Sequence, residues 1–289
     1  MLRNLVITEC PRDGIQGLPV FIPTQTKAGY INSLLKVGFD VIDFGSFVSP
    51  KSIPQLRDTS EVLQKLDLSD TKTALMAIVA NQKGAEAAAA FDEIDYLAIP
   101  FSTSSTFLKL NINANFDQGL KIIDYTQTLC DKRNKKLKVY LTMAFGNPYG
   151  DRSNPDIVFH WVGVLQKMGI NFITLSDITG VSNKELIKTI YDAIIKEFQT
   201  VEFGFHLHTT ANSWFDKVDA AYQSGCRSFD AVINGMGGCP MTNYEMVGNL
   251  NTIDLLNYLE KQQAVTKIDK AAFNFAVQEN IRLIRPFAE

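Results

Sequence analysis

The sequence predicts an α/β protein, a (β/α)8 TIM barrel with an additional C-terminal helix, and three observations carry that prediction. Eight short apolar runs rich in β-branched residues alternate with segments of helical spacing. The 289 residues match the roughly 250 of an eightfold barrel plus one further element. Several helical segments end in glycine just before the next apolar run, as in "KVGFDVID", "KMGINFIT" and "QSGCRSFD", the mark of helix C-caps feeding strands. A doubly wound open sheet is the alternative for such alternation, but no glycine-rich phosphate loop follows the first run.

In chain order, the first strand is "LVITE" (5–9), and "PTQTKAGYINSLLKVG" (23–38) has helical spacing before the second strand, "VIDFGS" (41–46). "TALMAIVA" (73–80) is the third strand, followed by "GAEAAAAFDE" (84–93), helical by alanine propensity alone. "YLAIPFS" (96–102) and "KVYLTMAFG" (138–146) are the fourth and fifth strands. The helical segment "DIVFHWVGVLQKMG" (156–169) leads to "FITLSD" (172–177), and "NKELIKTIYDAIIKEFQ" (183–199) leads to "FGFHLH" (203–208). "SFDAVIN" (228–234) is the eighth strand, and "AFNFAVQENIRLIR" (272–285) is an extra helix after the barrel. No Pro/Ser-rich linker, low-complexity tract or charge block divides the chain, so one catalytic domain is expected over 1–289, with a C-terminal helical extension over about 268–289.

Composition narrows the function classes. A net charge of −3 gives no sign of a nucleic-acid or membrane-surface partner. No apolar run approaches the roughly 18 residues needed to span a bilayer. The N-terminal "MLRNLVITECPRDG" enters a strand-like run directly, without the pattern of a signal or transit peptide, so a cytoplasmic location is expected. Cys10, Cys130, Cys226 and Cys239 are far apart and form no CxxC pair, consistent with reduced thiols. Cys130 and Cys226 fit packing roles. Cys239, between Gly238 and Pro240 in "GMGGCP", fits a mobile reactive thiol better than a buried one.

In such a barrel, catalytic groups belong at the C-terminal ends of the strands and in the loops that follow. The first strand ends in "ECPRDGIQ", the second in "DFGSF", the sixth in "SDITG", the seventh in "HLHTT" and the eighth in "INGMGGCP". Glu9, Arg12, Asp13, Asp43, Asp177, His206 and His208 therefore converge on one rim. Burying so many charges without partners is costly, so a cation or an anionic ligand is expected there. On the seventh strand Phe203, Phe205 and Leu207 share one face, while Gly204, His206 and His208 share the other, with the imidazoles roughly 7 Å apart. An isolated HxH is equally a hydrogen-bonded structural pair; an aspartate from another strand end shifts the balance to a metal site. Taken singly, Arg12–Asp13 is an ion pair capping a loop, "SDITG" is a helix N-cap, and His160 is structural.

These rim residues carry a resemblance to the 3-hydroxy-3-methylglutaryl-CoA lyases, of the metal-dependent DRE-type TIM-barrel superfamily that also holds isopropylmalate and homocitrate synthases. The matching stretches are "PRDGIQ" (11–16), "SFVSPKSIPQ" (46–55), "GNPYGD" (146–151), "HLH" (206–208) and "GGCP" through "GNL" (237–250), spread over nearly the whole barrel. "PRDG" and HxH mark the broad group, while "SFVSPK" with "GGCP" points to the lyase. The resemblance implies that Asp13, His206, His208 and Asn249 hold a divalent cation, Mg2+ or Mn2+; the residues alone also suit Fe2+, Co2+ or Zn2+. It implies that Arg12 stabilises negative charge on the substrate carbonyl, that Ser46 and Thr174 lie near the substrate's free carboxylate, and that Cys239 is the thiol of a mobile loop. Glu9, Gln16 and Asp177 match further active-site positions, Asp43 supplies a further catalytic carboxylate, and a homodimer is implied by family alone.

The implied reaction splits 3-hydroxy-3-methylglutaryl-CoA into acetoacetate and acetyl-CoA. A tertiary hydroxyl must lose its proton while an enolate forms on the thioester fragment. Asp13 and His206 are the candidate bases, and Cys239 could protonate the enolate carbon as its loop closes. The chain departs from the lyase pattern in five places. Asp43 stands in place of a glutamate, Ile178-Thr179 follows Asp177 where threonine usually comes first, and Thr209 replaces an acidic residue. The Cys239–Asn249 loop is one residue longer, and "GIQGLPVF" lacks a basic residue that could meet CoA phosphates. An aldolase or Claisen-type enzyme on another acyl-CoA or 2-oxo acid, and a non-catalytic metabolite-binding barrel, are the competing readings.

Overall fold

A computed structural model describes residues 4–238 and 247–285. β1 (Val6–Glu9) pairs in parallel with both β2 (Val41–Ser46) and β8 (Ser228–Ala231), which closes the sheet. Between them run β3 (Ala74–Ile78), β4 (Tyr96–Ser102), β5 (Lys136–Thr142), β6 (Phe172–Asp177) and β7 (Glu202–Leu207), in sequential order around the barrel. The predicted fold class is thus the observed one. The helices are α1 (Pro11–Ile15), α2 (Thr24–Leu35), α3 (Thr59–Leu63), α4 (Gln82–Ala89), α5 (Ser105–Ile112), α6 (Phe116–Arg133), α7 (Pro155–Lys167), α8 (Lys184–Glu197), α9 (Trp214–Gln223), α10 (Thr252–Lys261) and α11 (Lys270–Ile284).

Strand alternation sorts the side chains into two layers. Outward-facing Ile7, Ile42, Leu75, Leu97, Val139, Ile173, Phe205 and Phe229 pack beneath the helices in one continuous apolar core. Inward-facing Val41, Met76, Ala98 and Tyr140 form a smaller cluster inside the barrel. The inner face also carries buried Asp43, Lys138, Thr174, Ser176, His206 and Asp230. Register stacks Thr142, Ser176, His206 and Asp230 at one level, with Tyr140, Thr174, Gly204 and Ser228 one level below. Gly204 is required at the lower level, because a Cβ there would lie 2.5 Å from the Thr174 hydroxyl oxygen.

Several expectations shift: the eighth strand ends at Ala231 instead of 234, the third spans Ala74–Ile78 instead of 73–80, and the alanine-rich helix spans Gln82–Ala89 instead of 84–93. "PRDGI", expected as loop, is a fully buried helical turn with proline at its start, where the missing N–H costs nothing. The fifth strand starts at Lys136 and stops at Thr142 instead of running to residue 146, because Met143 turns to a φ of 57°. The glycine caps stand as expected: Gly38, Gly169 and Gly225 have φ of 89°, 83° and 97°. α11 follows the last barrel helix and packs on α2.

Candidate active site

The C-terminal ends of the strands open into a cavity of about 320 Å³. Its floor holds Arg12, Asp13, Gln16, Ser46, Thr142, Ser176, His206 and His208; its walls carry Ile78, Pro100, Phe107, Leu110 and Ile178.

α1 delivers the first charges. Arg12 is buried and donates from Nε to Asp43 Oδ2 at 3.0 Å, and from Nη1 to Asp13 Oδ1 at 2.8 Å and Gln16 Oε1 at 3.0 Å. Gln16 in turn donates to Asp13 Oδ1 at 2.5 Å. The guanidinium therefore bridges two carboxylates, and its rigid fork is the geometry that lysine could not supply. Burial raises the Asp13 carboxyl, but Arg12, His206, His208 and Asn249 outweigh it and hold Asp13 below its ordinary value. At Asp43 the balance goes the other way: burial wins over Arg12 and pushes the carboxyl up. The aspartate is long enough to meet Arg12 directly.

β7 delivers the imidazoles. The Nε2 atoms of His206 and His208 face each other at 3.1 Å, closer than ideal strand spacing gives, because His208 lies past the strand end in a bridge with Asn249. His208 Nδ1 donates to the Val247 carbonyl at 3.0 Å, and His206 Nδ1 lies 3.4 Å from Asp230 Oδ2. The bond from His208 Nδ1 to the Val247 carbonyl leaves the His208 Nε2 lone pair facing the space into which His206 Nε2 also points. Asp13 Oδ2 completes the triangle, 3.8 Å from His206 Nε2 and 3.7 Å from His208 Nε2, buried and without a hydrogen-bond partner. One carboxylate oxygen and two imidazole nitrogens converging on one buried point are a donor set for a divalent metal, so Asp13, His206 and His208 fit one. Burial, then the neighbouring His206, depresses His208 to about 4, which keeps its imidazole neutral for ligation. Asn249 stands beside this triangle, where it helps lower the Asp13 carboxyl, and donates from Nδ2 to the Met236 carbonyl at 2.8 Å.

Three candidate residues lie away from the cavity. Glu9 shares the outward parity of Ile7 and accepts from the Ile233 N–H at 2.8 Å and the Thr252 hydroxyl at 2.6 Å. Asp177 also faces the helix layer, where it accepts from the Val181 and Ser182 N–H groups and lies 3.7 Å from Lys217 Nζ. Thr174 faces inward, but one level beneath the floor; Ser176 takes the cavity-lining place above it. Ser46 does line the cavity. Cys239 lies outside the described residues. Thr209 turns its hydroxyl to Ser213 at 2.9 Å.

Asp230, Lys138 and Tyr140 were not among the sequence candidates, yet they brace the site from inside the barrel. Asp230 accepts from Tyr140 Oη at 2.7 Å and pairs with Lys138 Nζ at 3.3 Å. Against the cost of burial, Lys138, His206 and Tyr140 hold its carboxyl well below the ordinary range, so His206 is backed by a charged acceptor. The available signal was inward parity, shared by Tyr140 with Thr142 and matched at Asp230 beside His206.

Known proteins show the same arrangement of chain. The hydroxymethylglutaryl-CoA lyase of Bacillus subtilis is 32% identical over 258 residues, covering 89% of this chain and 85% of that one. The (R)-citramalyl-CoA lyase of Chloroflexus aurantiacus is 29% identical over 278 residues, covering 92% and 86%. A solved HMG-CoA lyase from Acinetobacter baumannii, in complex with coenzyme A and 3-methylmalate, superposes with a TM-score of 0.89 at 32% identity, covering 98% of this chain and 92% of that one. With the family model described as HMGL-like matching residues 5–278, the chain belongs to the HMGL-like family, the carbon–carbon lyases that include the hydroxymethylglutaryl-CoA lyases.

Proposed function

We propose that the chain cleaves 3-hydroxy-3-methylglutaryl-CoA to acetoacetate and acetyl-CoA. The observation that carries the reading is the convergence of Asp13 Oδ2, His206 Nε2 and His208 Nε2 on the cavity floor, beside the Arg12 guanidinium. Asp13, His206, His208 and Asn249 would hold a divalent cation, Mg2+ or Mn2+, which when bound lowers the pKa of a substrate hydroxyl and orients it.

The chain's own residues supply the rest. Asp13, whose carboxylate keeps lone pairs beyond the one offered to the cation, accepts the proton of the tertiary hydroxyl as the bond between C2 and C3 of the acyl chain breaks. The electron pair of that bond moves onto the thioester fragment as an enolate. Arg12, fixed by Asp43 and Asp13, offers its charge to the enolate oxygen in a site screened from water. Cys239 is the proposed donor of a proton to the enolate carbon, yielding acetyl-CoA. Ser46, Thr142 and Ser176 supply hydroxyls on the same floor for the free carboxylate of the substrate.

The Chloroflexus relative gives a second reading, since (R)-citramalyl-CoA differs by one methylene between the hydroxyl-bearing carbon and the carboxylate. Incubation with each thioester and Mn2+ decides between them. Acetoacetate from the first and little pyruvate from the second is the expected result. Pyruvate alone would assign the shorter substrate, and no product from either, with Mn2+ bound, would sink both readings.

A further inference from the structure

The "GNPYGD" stretch has no part in the chemistry above, yet it is tied to one wall of the cavity. α5 supplies Phe107, Leu110 and Asn111 to that wall. Its N-terminus is held by a single carboxylate from another loop. Asp151 accepts from the Ser104 hydroxyl at 2.5 Å, from the Thr106 N–H at 2.9 Å and from the Thr106 hydroxyl at 3.0 Å. Ser104 itself caps the helix by accepting from the Phe107 N–H at 3.0 Å. Asp151 is fixed in turn by Asn147, whose Oδ1 accepts from the Asp151 N–H at 3.1 Å and whose Nδ2 donates to the Asp151 carbonyl at 2.9 Å. From the same loop, Tyr149 stacks on Phe107 with ring centroids 6.1 Å apart and planes at 23°.

We infer that Asp151 is a positioning residue that sets the acyl-CoA-binding wall of the cavity by clamping α5. Closure of the barrel puts β4 and β5 across from β8 and β1. The wall from α5 therefore faces the Arg12–Asp13–His206–His208 floor from the far side and meets the carrier arm of a thioester instead of its reacting carbons. A carboxylate at a helix N-terminus satisfies an orphan N–H and opposes the dipole, and its hydrogen bonds are charge-assisted. The Ser104 hydrogen bond, ahead of the burial cost, holds Asp151 below its ordinary value, so the clamp is charged at neutral pH. Without it, the first turn of α5 loses its tether to the 147–151 loop, and Phe107 loses its fixed place against Tyr149.

The inference rests on the acyl-CoA reading of the cavity, and the experiment separates the two. KM and kcat for 3-hydroxy-3-methylglutaryl-CoA are measured for wild type, Asp151→Ala and Asp151→Asn, together with calorimetric Kd values for coenzyme A and for Mn2+. Asp151→Ala is expected to raise KM and the coenzyme A Kd about tenfold, the scale of one lost charge-assisted hydrogen bond. Its kcat should stay within about twofold and its Mn2+ affinity should not change. Asp151→Asn keeps an acceptor for the Thr106 N–H and should fall between the two; it decides the matter if the alanine variant does not fold. Unchanged KM and coenzyme A Kd would overturn the clamp, as would a parallel loss of Mn2+ affinity, which would mark a general structural role. Should wild type leave the thioester intact, the proposed function fails, and the coenzyme A Kd ratio still upholds or overturns the clamp.

Discussion

Burial pushes the Glu9 carboxyl up to about 8 from an ordinary 4.5, against the hydrogen bonds from Thr252 and Ile233. Between those two values the folded chain keeps a proton that the unfolded chain has released, so the contribution to stability is complete below pH 4.5 and is lost as pH rises toward 8. Glu9→Gln mimics the protonated side chain without the titration. Melting temperatures at pH 5 and pH 8 should therefore fall less for the variant than for wild type, and an equal fall in both would contradict the assignment. The same residue shows what the sequence reading lacked. A polar residue near a strand end reaches the cavity only with inward parity at the uppermost level; parity sends Glu9 and Asp177 into the helix layer, and Thr174, though inward, lies one level too deep. Arg12 and Asp13 were legible because they directly follow a recognisable strand. Asp230 and Tyr140 were not, because they are 90 positions apart and meet only through barrel closure.

At the scale of elements, α1 and the turn after β8 depend on each other. Gly237 has a φ of 88°, and a Cβ there would lie 2.5 Å from the Asp13 carbonyl oxygen and 3.0 Å from the Gly14 Cα. The contact is backbone on both sides, so neither a rotamer change nor a small tilt relieves it. Gly237→Ala should cost about 1–3 kcal/mol of stability and weaken Mn2+ binding by displacing the ligand-bearing turn. Gly29→Ala is the contrasting case, since Gly29 lies in α2 and its Cβ would meet nothing within 4 Å. Helix propensity should there raise stability by up to about 1 kcal/mol, with Mn2+ affinity untouched. Calorimetric Kd values and melting curves on both variants check the pair. Long elements such as α2, α8 and the eight strands were legible from period and glycine caps. The five-residue α1 was not, because it is shorter than two turns and its hydrogen bonds return largely to Cys10 and Arg12.

At the scale of the whole molecule, the barrel brings to one point three ligand atoms from positions 13, 206 and 208. The alternation of strands and helices predicted that meeting in outline, since it places the first and seventh strands two apart around a closed ring. Crowding of two imidazole nitrogens against a buried, unpartnered carboxylate oxygen costs the fold stability, and a bound cation reverses the cost. Metal should therefore stabilise the folded chain by mass action, by about 2.7 kcal/mol at a hundredfold excess over Kd. For a chain of this size that is a rise of a few degrees in melting temperature. The rise should vanish with chelator and be absent in His208→Ala, which removes a ligand and leaves Asp13 without one of its balancing neighbours. His208→Ala should also melt closer to wild type in chelator than in Mn2+, because the crowded nitrogen pair is gone. If Mn2+ raised the melting temperature of His208→Ala as much as that of wild type, the cation would be bound elsewhere on the molecule.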